Sequence, residues 1–538
     1  MIGVIARPHD LAIAAEFFEL FKTPWEPAVA GRRYRVMVST EDRGEYLDAD
    51  VCVLYGASQR VWDRRGDANV EQICGPVEVH SGGERFPIYT SVARFDRPDG
   101  AGPLTSGGYP IEYRRSCGYR TIWRVGYDLF AEVRHLLTTG QPVSQAQIPT
   151  LEHHIAVLRR LLGSSGVSFV EIPPRPDGFE FACCLTHDLD FFGIRRHTAD
   201  RTLAGFVLRA SIGTLADFLR GRRPLSEVLR NWVALCSLPA VLLGIAPDFW
   251  RPFDDYAKVE DGLPSTFFLV PFKGRPGVGP DGAVDATRAV AYEAADIRNE
   301  VSGAISRGSE VAVHGIDAWR DADAGRKEIA QLTAVTAQKR TGVRMHWLYF
   351  SDQSPRELEA AGFDYDSTWG YNDAVGYRPG TSQVFCIPGT RLMELPLSIM
   401  DSAMLFADRM GLAHEDALER CKEIVSNAVR FGGTVVINWH DRSLAPERQW
   451  GRSYSELLEH LQTKHQVWFG TASQAVDWFR WRRSVTFVSQ TAGQVTVLSP
   501  RREPTLPPAR VLVHRSTDGV TSVEEHALDG DSAMRFEL

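Results

Sequence analysis

Phe181-Ala182-Cys183-Cys184-Leu185-Thr186-His187-Asp188-Leu189-Asp190 is an apolar run that ends in two carboxylates one residue apart. Alternate residues of a strand share a face, so a strand here turns Asp188 and Asp190 toward one ion or one water. Parallel β/α barrels keep their reacting groups at the carboxyl ends of the strands, where this pair falls. Taken alone, an Asp-x-Asp step is also an ordinary capping loop. The rest of the chain decides between the two.

Short apolar runs recur downstream with helix-length segments between them: 265–270, 310–313, 342–349, 363–367, 393–399, 434–439 and 467–470. With 181–185 they make seven or eight strand-plus-helix units. That count predicts an α/β fold on a parallel sheet and favours a distorted (β/α)7–8 barrel over an open sheet. Three of these runs also end in ionisable groups. Glu310-Val311-Ala312-Val313-His314 leads on to Asp317, Val343-Arg344-Met345-His346 delivers Arg344 and His346, and Val435-Val436-Ile437-Asn438-Trp439-His440 delivers His440. A single such His is usually structural. Four strand ends each offering Asp or His are hard to explain by packing, because buried ionisable groups are costly unless paired or bound to metal.

In order and spacing these runs resemble the five motifs of the polysaccharide deacetylase family, also called the chitooligosaccharide deacetylase homology family, over about Phe181 to Val485. The resemblance implies a distorted β/α barrel and a role for each motif. Thr186-His187-Asp188-Leu189-Asp190 is similar to the first, which makes Asp188 the general base and Asp190 a metal ligand. By the same likeness His314 is a second ligand, Arg344 steadies the catalytic carboxylate, and Phe363-Asp364-Tyr365-Asp366-Ser367-Thr368-Trp369 shapes the substrate groove. His440 in Asn438-Trp439-His440 becomes the general acid. One departure stands out: the family's second His, four residues after the first, is Ala318 here. The third metal ligand is then His346 on the next strand, which is preferred, or Asp317, or is missing. Family members that have lost the metal hydrolyse cyclic amides such as allantoin.

A divalent ion held by a carboxylate and one or two imidazoles, with open positions, activates water and polarises an amide carbonyl. Mixed oxygen and nitrogen ligation suits Zn²⁺ and also other first-row ions. The expected activity is hydrolysis of an N-acyl group, acetyl first of all, on an amino sugar or glycan precursor of surface-polysaccharide assembly. Two other readings stay open: a metal-independent hydrolase of a small or cyclic amide, and an inactive barrel that only holds a glycan. A pure binder needs neither Asp188 nor His440. Candidate substrate contacts are His187, Trp347, Trp369 and Tyr371 near strand ends, with Arg378 in the 376–380 loop as a clamp for a carboxylate or phosphate.

Residues 1–140 alternate β-like runs (2–6, 34–38, 51–55) with an amphipathic stretch at 11–21, the pattern of a small N-terminal α/β domain. No Gly-x-Gly-x-x-Gly loop follows the first run. A helical linker is expected over 141–176, ending at Pro173-Pro174-Arg175-Pro176, and the barrel over 177–484. Alternating runs at 485–489, 495–499, 509–514 and 533–538 predict a small C-terminal all-β unit over 485–538. Inside the barrel, 192–263 reads as a helical insertion rich in Leu and Arg (Arg209, Arg220, Arg222, Arg223, Arg230). It suits a lid over the barrel mouth or, through 203–246, an element lying on a membrane surface.

With 538 residues, 44% of them hydrophobic and 24% charged, the chain is expected to fold into several packed units. A net charge of −8 without a Lys/Arg run argues against a nucleic-acid partner. Eight cysteines without a Cys-x-x-Cys pair read as reduced thiols, and the N-terminus lacks a secretory pattern. The longest apolar run, 232–246, contains Pro239 and is too short to span a bilayer. The expectation is a cytoplasmic protein, or one at the inner face of the membrane, without a transmembrane segment. The oligomeric state is left open.

Overall fold

The computed structural model describes residues 1–42, 48–65, 68–96, 103–198, 200–221, 224–488, 493–517 and 520–538. Arg222, Arg223 and Ser489, which belong to stretches named above, lie outside them.

The central sheet is curled and, one edge pair apart, parallel. Its strands stand in the order Phe385–Cys386, Met393–Glu394, Tyr365–Asp366, Val343–Met345, Glu310–Gly315, Ser265–Leu269, Phe181–Leu189, Thr434–Asn438 and Ile399–Met400. Only the first two are antiparallel. All nine residues of Phe181–Leu189 are buried, as expected of a strand covered on both faces. One of its edges runs along Thr434–Asn438. The other is shared, by Val467–Phe469 at its start and by Ser265–Leu269 at its end.

The run expected as one strand at 393–399 is split. Met393–Glu394 pairs with Tyr365–Asp366, and Ile399–Met400 pairs with Thr434–Asn438. Pro396 sits between them and has no N–H to give a ladder. The connecting residues still bond to both flanks, Leu395 N–H to the carbonyl of Asp366 and Ser398 N–H to that of Val436.

Helices cover the outside of the sheet. His414–Phe431 shows why: Ala417, Cys421, Ile424, Val425 and Ala428, at helical spacing, are its buried residues. Register then sets the rim. Thr186 is opposite Asn438 and His314 opposite Arg344, so Asp188, His346 and His440 emerge just beyond, at the same end.

The N-terminal residues form a six-stranded sheet in the order Glu112–Cys117, Arg120–Val125, Ala49–Tyr55, Tyr34–Ser39, Ile2–Ile5 and Trp25–Pro27, with helices Leu11–Phe21 and Leu129–Thr138. The stretch expected as a linker is packed rather than free. Its strand Phe169–Glu171 pairs with Ala509–Thr517, which pairs with Val520–Leu528. Buried Arg482 donates to the carbonyls of Ile172, Glu19 and Leu20. One buried apolar cluster runs from Ile2 to Phe536, so the units share a core. A second C-terminal sheet holds Thr486–Val488, Gln494–Ser499 and Ser532–Glu537.

Within the insertion, Arg201–Leu219 and Leu225–Leu242 are long and apolar enough, by length and composition, to cross a membrane. Pro239 does not end the run 232–246 but lies inside the helix Leu225–Leu242.

Candidate active site

Asp188 is almost completely buried, and both of its carboxylate oxygens are engaged. Oδ1 accepts from the Arg344 guanidinium at 2.9 Å and Oδ2 from the Asn438 amide at 2.8 Å. Arg344 is itself fixed, donating to Thr186 Oγ1 at 2.8 Å and to Ser367 O and Oγ at 3.1 and 3.0 Å. Burial pushes the Asp188 carboxyl up, but Arg344, with His314 and His440, outweighs it and holds the group below the usual carboxylate range. Asp188 is therefore an oriented, ionised acceptor at neutral pH.

Asp190, His314 and His346 offer three ligand atoms that lie within 4.8 Å of one another. Asp190 Oδ1 is 3.4 Å from His314 Nε2 and 3.2 Å from His346 Nε2. His314 Nδ1 donates to the Arg344 carbonyl at 2.9 Å, which fixes the tautomer and leaves the Nε2 lone pair facing Asp190. Burial pushes His346 down to about 4, so that ring is neutral at physiological pH. Buried Asp190 Oδ1 has no hydrogen-bond donor. Two imidazole nitrogens and an ionised carboxylate converging on one point form the donor set of a divalent-ion site. The three residues fit a metal.

Asp317, the other candidate third ligand, points away. Its Oδ1 accepts the backbone N–H of Val278 at 3.0 Å, tying down the 276–278 loop. It follows the end of strand Glu310–Gly315 and no longer shares the face of His314.

His440 is held by a residue that the sequence patterns did not point to. Its Nδ1 lies 2.6 Å from Asp401 Oδ1, its backbone N–H donates to Asp401 Oδ2 at 2.8 Å, and Ser443 Oγ donates to the same oxygen. Burial alone lowers the imidazole. The Asp401 carboxylate reverses this and raises it to about 10, so His440 carries a proton at neutral pH. Asp401 follows Ile399–Met400, another strand end that delivers a carboxylate.

Asp188, Asp190, His314, His346 and His440 line one pocket of about 220 Å³. Trp347 stands at its wall, more than a third exposed, in a left-handed backbone conformation (φ 64°) braced by Asn372 donating to its carbonyl at 3.0 Å. Three arginines, Arg409, Arg442 and Arg448, line the same pocket and were not anticipated. Arg442 lies 3.5 Å over the Phe191 ring, and Arg409 and Arg448 lie over Phe406. A larger cavity of about 390 Å³ between the N- and C-terminal strands contains no His.

Four of the expected substrate contacts are elsewhere. His187 alternates with Asp188 along the strand and so faces away from the pocket. Its Nδ1 bonds to the Trp439 carbonyl and its Nε2 to Glu260, both at 2.8 Å. Trp369 is buried between Phe350 and Phe385. Tyr371 donates its hydroxyl to Gln141 O at 2.7 Å, and Arg378 donates to Gly370 O at 3.1 Å. These two side chains pin the 370–380 loop and its contact with residue 141.

No protein-family model matches the chain, and neither does any curated protein. Solved structures do match. The chain is similar to polysaccharide deacetylases. One such structure, from Mycobacterium smegmatis, is 19% identical over 58% of this chain and 95% of its own, with a TM-score of 0.35. Another, from Pseudomonas aeruginosa PAO1, is 16% identical over 60% and 97%, again with a TM-score of 0.35. An allantoinase structure is 17% identical over 58% and 94%, with a TM-score of 0.34.

Proposed function

We propose that this chain is a metal-dependent hydrolase that removes an N-acyl group from an amino sugar or glycan precursor, on a distorted (β/α)7–8 barrel. One observation carries the reading. The Asp190–His314–His346 trio shares a pocket with two acid–base groups, Asp188 and His440, whose partners push them to opposite protonation states.

Asp190, His314 and His346 would hold a divalent ion such as Zn²⁺, which when bound supplies Lewis-acid polarisation of the amide carbonyl and a more acidic water. Asp188, ionised and aimed by Arg344 and Asn438, takes the proton of the attacking water. His440, protonated and oriented through Nδ1 by Asp401, gives its Nε2 proton to the departing nitrogen, since an amine leaves poorly as an anion. Trp347 offers an aromatic face at the mouth.

The three pocket arginines suit a substrate with an acidic substituent, a carboxylate or phosphate, beside the sugar. Arg442→Ala is then expected to raise KM for such a substrate with kcat little changed, and to leave KM for a neutral analogue unaltered. Equal KM changes for both substrates would remove the acidic group from the proposal.

The metal test is direct. Dialysis against a chelator is expected to abolish acyl release from N-acylated amino sugars, and addition of Zn²⁺ or another first-row ion to restore it. His346→Ala is expected to weaken metal binding, followed by titration calorimetry, by more than the roughly 10–100-fold that loss of an outer partner costs. Activity that survives complete metal removal would favour instead the metal-independent hydrolysis of a small or cyclic amide.

A further inference from the structure

Eleven of the twenty large hydrophobic side chains exposed among the described residues lie between Val207 and Ile245. The helix Arg201–Leu219 buries Phe206, Ala210 and Thr214, one face at four-residue spacing, and turns Leu208, Ile212, Leu215 and Leu219 outward. The helix Leu225–Leu242 buries Val228, Asn231, Ala234, Leu238 and Val241 and turns Leu225, Leu229, Trp232 and Val233 outward. A surface helix with one face on the core normally shows water a polar opposite face. These two helices are apolar on both.

Charge says what covers the outer face. Among the described residues of 201–230, three arginines, Arg201, Arg220 and Arg230, are exposed, whereas the two acids, Asp217 and Glu227, are half-buried, in a chain whose net charge is −8. A second copy of the chain packed face to face would bring two such arginine sets together. An anionic lipid surface would neutralise them and absorb the apolar side chains at the same time.

We propose that this helical hairpin docks the protein on a bilayer containing anionic phospholipid, with its outer face sunk into the headgroup–acyl boundary. Trp232, half-exposed on that face, is the residue type that settles at such a boundary. The helices lie on the bilayer rather than crossing it, because their inner faces are held by the body of the protein. Phe206, Ala210, Ala234, Leu238 and Val241 pack in one buried cluster with Ile194, Trp250 and Ala445, which lie outside the two helices. The hairpin also adjoins the catalytic pocket. Gln449 donates to Glu227 O at 3.1 Å and to Asn231 Oδ1 at 2.9 Å, and its neighbours Arg448 and Trp450 line the pocket. Docking would set the pocket mouth at the lipid surface, within reach of a lipid-borne sugar.

The test is flotation of the full-length protein with phosphatidylcholine–phosphatidylglycerol vesicles. It reads no activity, so it stands apart from the hydrolase reading, and Asp188→Asn is expected to float like the parent. The double variants Leu229→Glu/Val233→Glu and Ile212→Glu/Leu215→Glu, at positions already exposed, are each expected to cut partitioning by about tenfold or more, given the burial each side chain forgoes. Their melting temperature should not change. Pure phosphatidylcholine vesicles should capture less protein. Failure of the parent to float would overturn the proposal, as would flotation unaltered in both variants. So would self-association, measured by sedimentation, that these variants abolish without any effect of vesicles.

Discussion

Asp188→Asn is expected to lower kcat for acyl release by about 10²–10⁴-fold, the range of a positioned general base. The metal content of the purified protein should be unchanged, because the trio of Asp190, His314 and His346 is left whole. The substitution also has a structural cost that can be measured separately. An amide oxygen can accept from Arg344 or from Asn438, but its NH₂ then faces the other donor. Arg344 is fully buried and Asp188 is its salt-bridge partner, and removing one member of a buried pair costs about 3–5 kcal/mol. The melting temperature should therefore fall while metal binding persists. A variant that binds metal, melts lower and still releases acyl groups at the parental rate would remove Asp188 from the chemistry and leave it only as an anchor for Arg344.

The strands of the central sheet were legible because strands covered on both faces read as continuous apolar runs, and Phe181–Leu189 is such a strand. The site was legible where a strand end and an ionisable group coincide, which placed Asp188, Asp190, His314, Arg344, His346 and His440 at one rim. Asp401 escaped because its run was read as 393–399 and closed at Ile399, one residue short of Met400, although the rule of strand ends applied to Ile399–Met400 would have included the carboxylate that follows. The misplaced substrate contacts share another cause. Distance from a strand end does not say which way a side chain faces, and His187 has the opposite parity to Asp188. Trp369, Tyr371 and Arg378 come after the strand, where no period holds, and only packing decides that they are internal.

The N-terminal hairpin Glu112–Cys117 and Arg120–Val125 was invisible for a third reason. Its inward positions include Arg124, wholly buried against Asp63 at 3.0 Å. A strand with a charge in its core does not look like one in sequence. The arginines that line the pocket of Asp188 and His440 were hidden in the same way, since Arg442 and Arg448 fall in a loop after His440 where charged residues are unremarkable. Their common position became visible only with the fold.

Asp401→Asn is the other substitution with a large expected effect, and it acts through His440 rather than on substrate. Asp401 raises the imidazole from an ordinary value of about 6.5 to about 10, so loss of its charge lets burial dominate and the ring lose its proton near or below neutrality. The alkaline limb of the kcat profile should move toward neutral pH, and kcat at neutral pH should fall by roughly 10²-fold or more, as for loss of a general acid or its orienter. His440→Ala should lose as much activity with no such movement of the limb. Stability obeys the same linkage. A folded-state pKa raised above the unfolded one gives stabilisation that is complete below about 6.5 and fades as the pH climbs to about 10. The difference in melting temperature between the parent and Asp401→Asn should thus be widest on the acid side of that window and narrow across it. A difference that widened toward alkaline pH would mean that Asp401 meets a neutral imidazole, and His440 could not then supply the proton for the departing nitrogen.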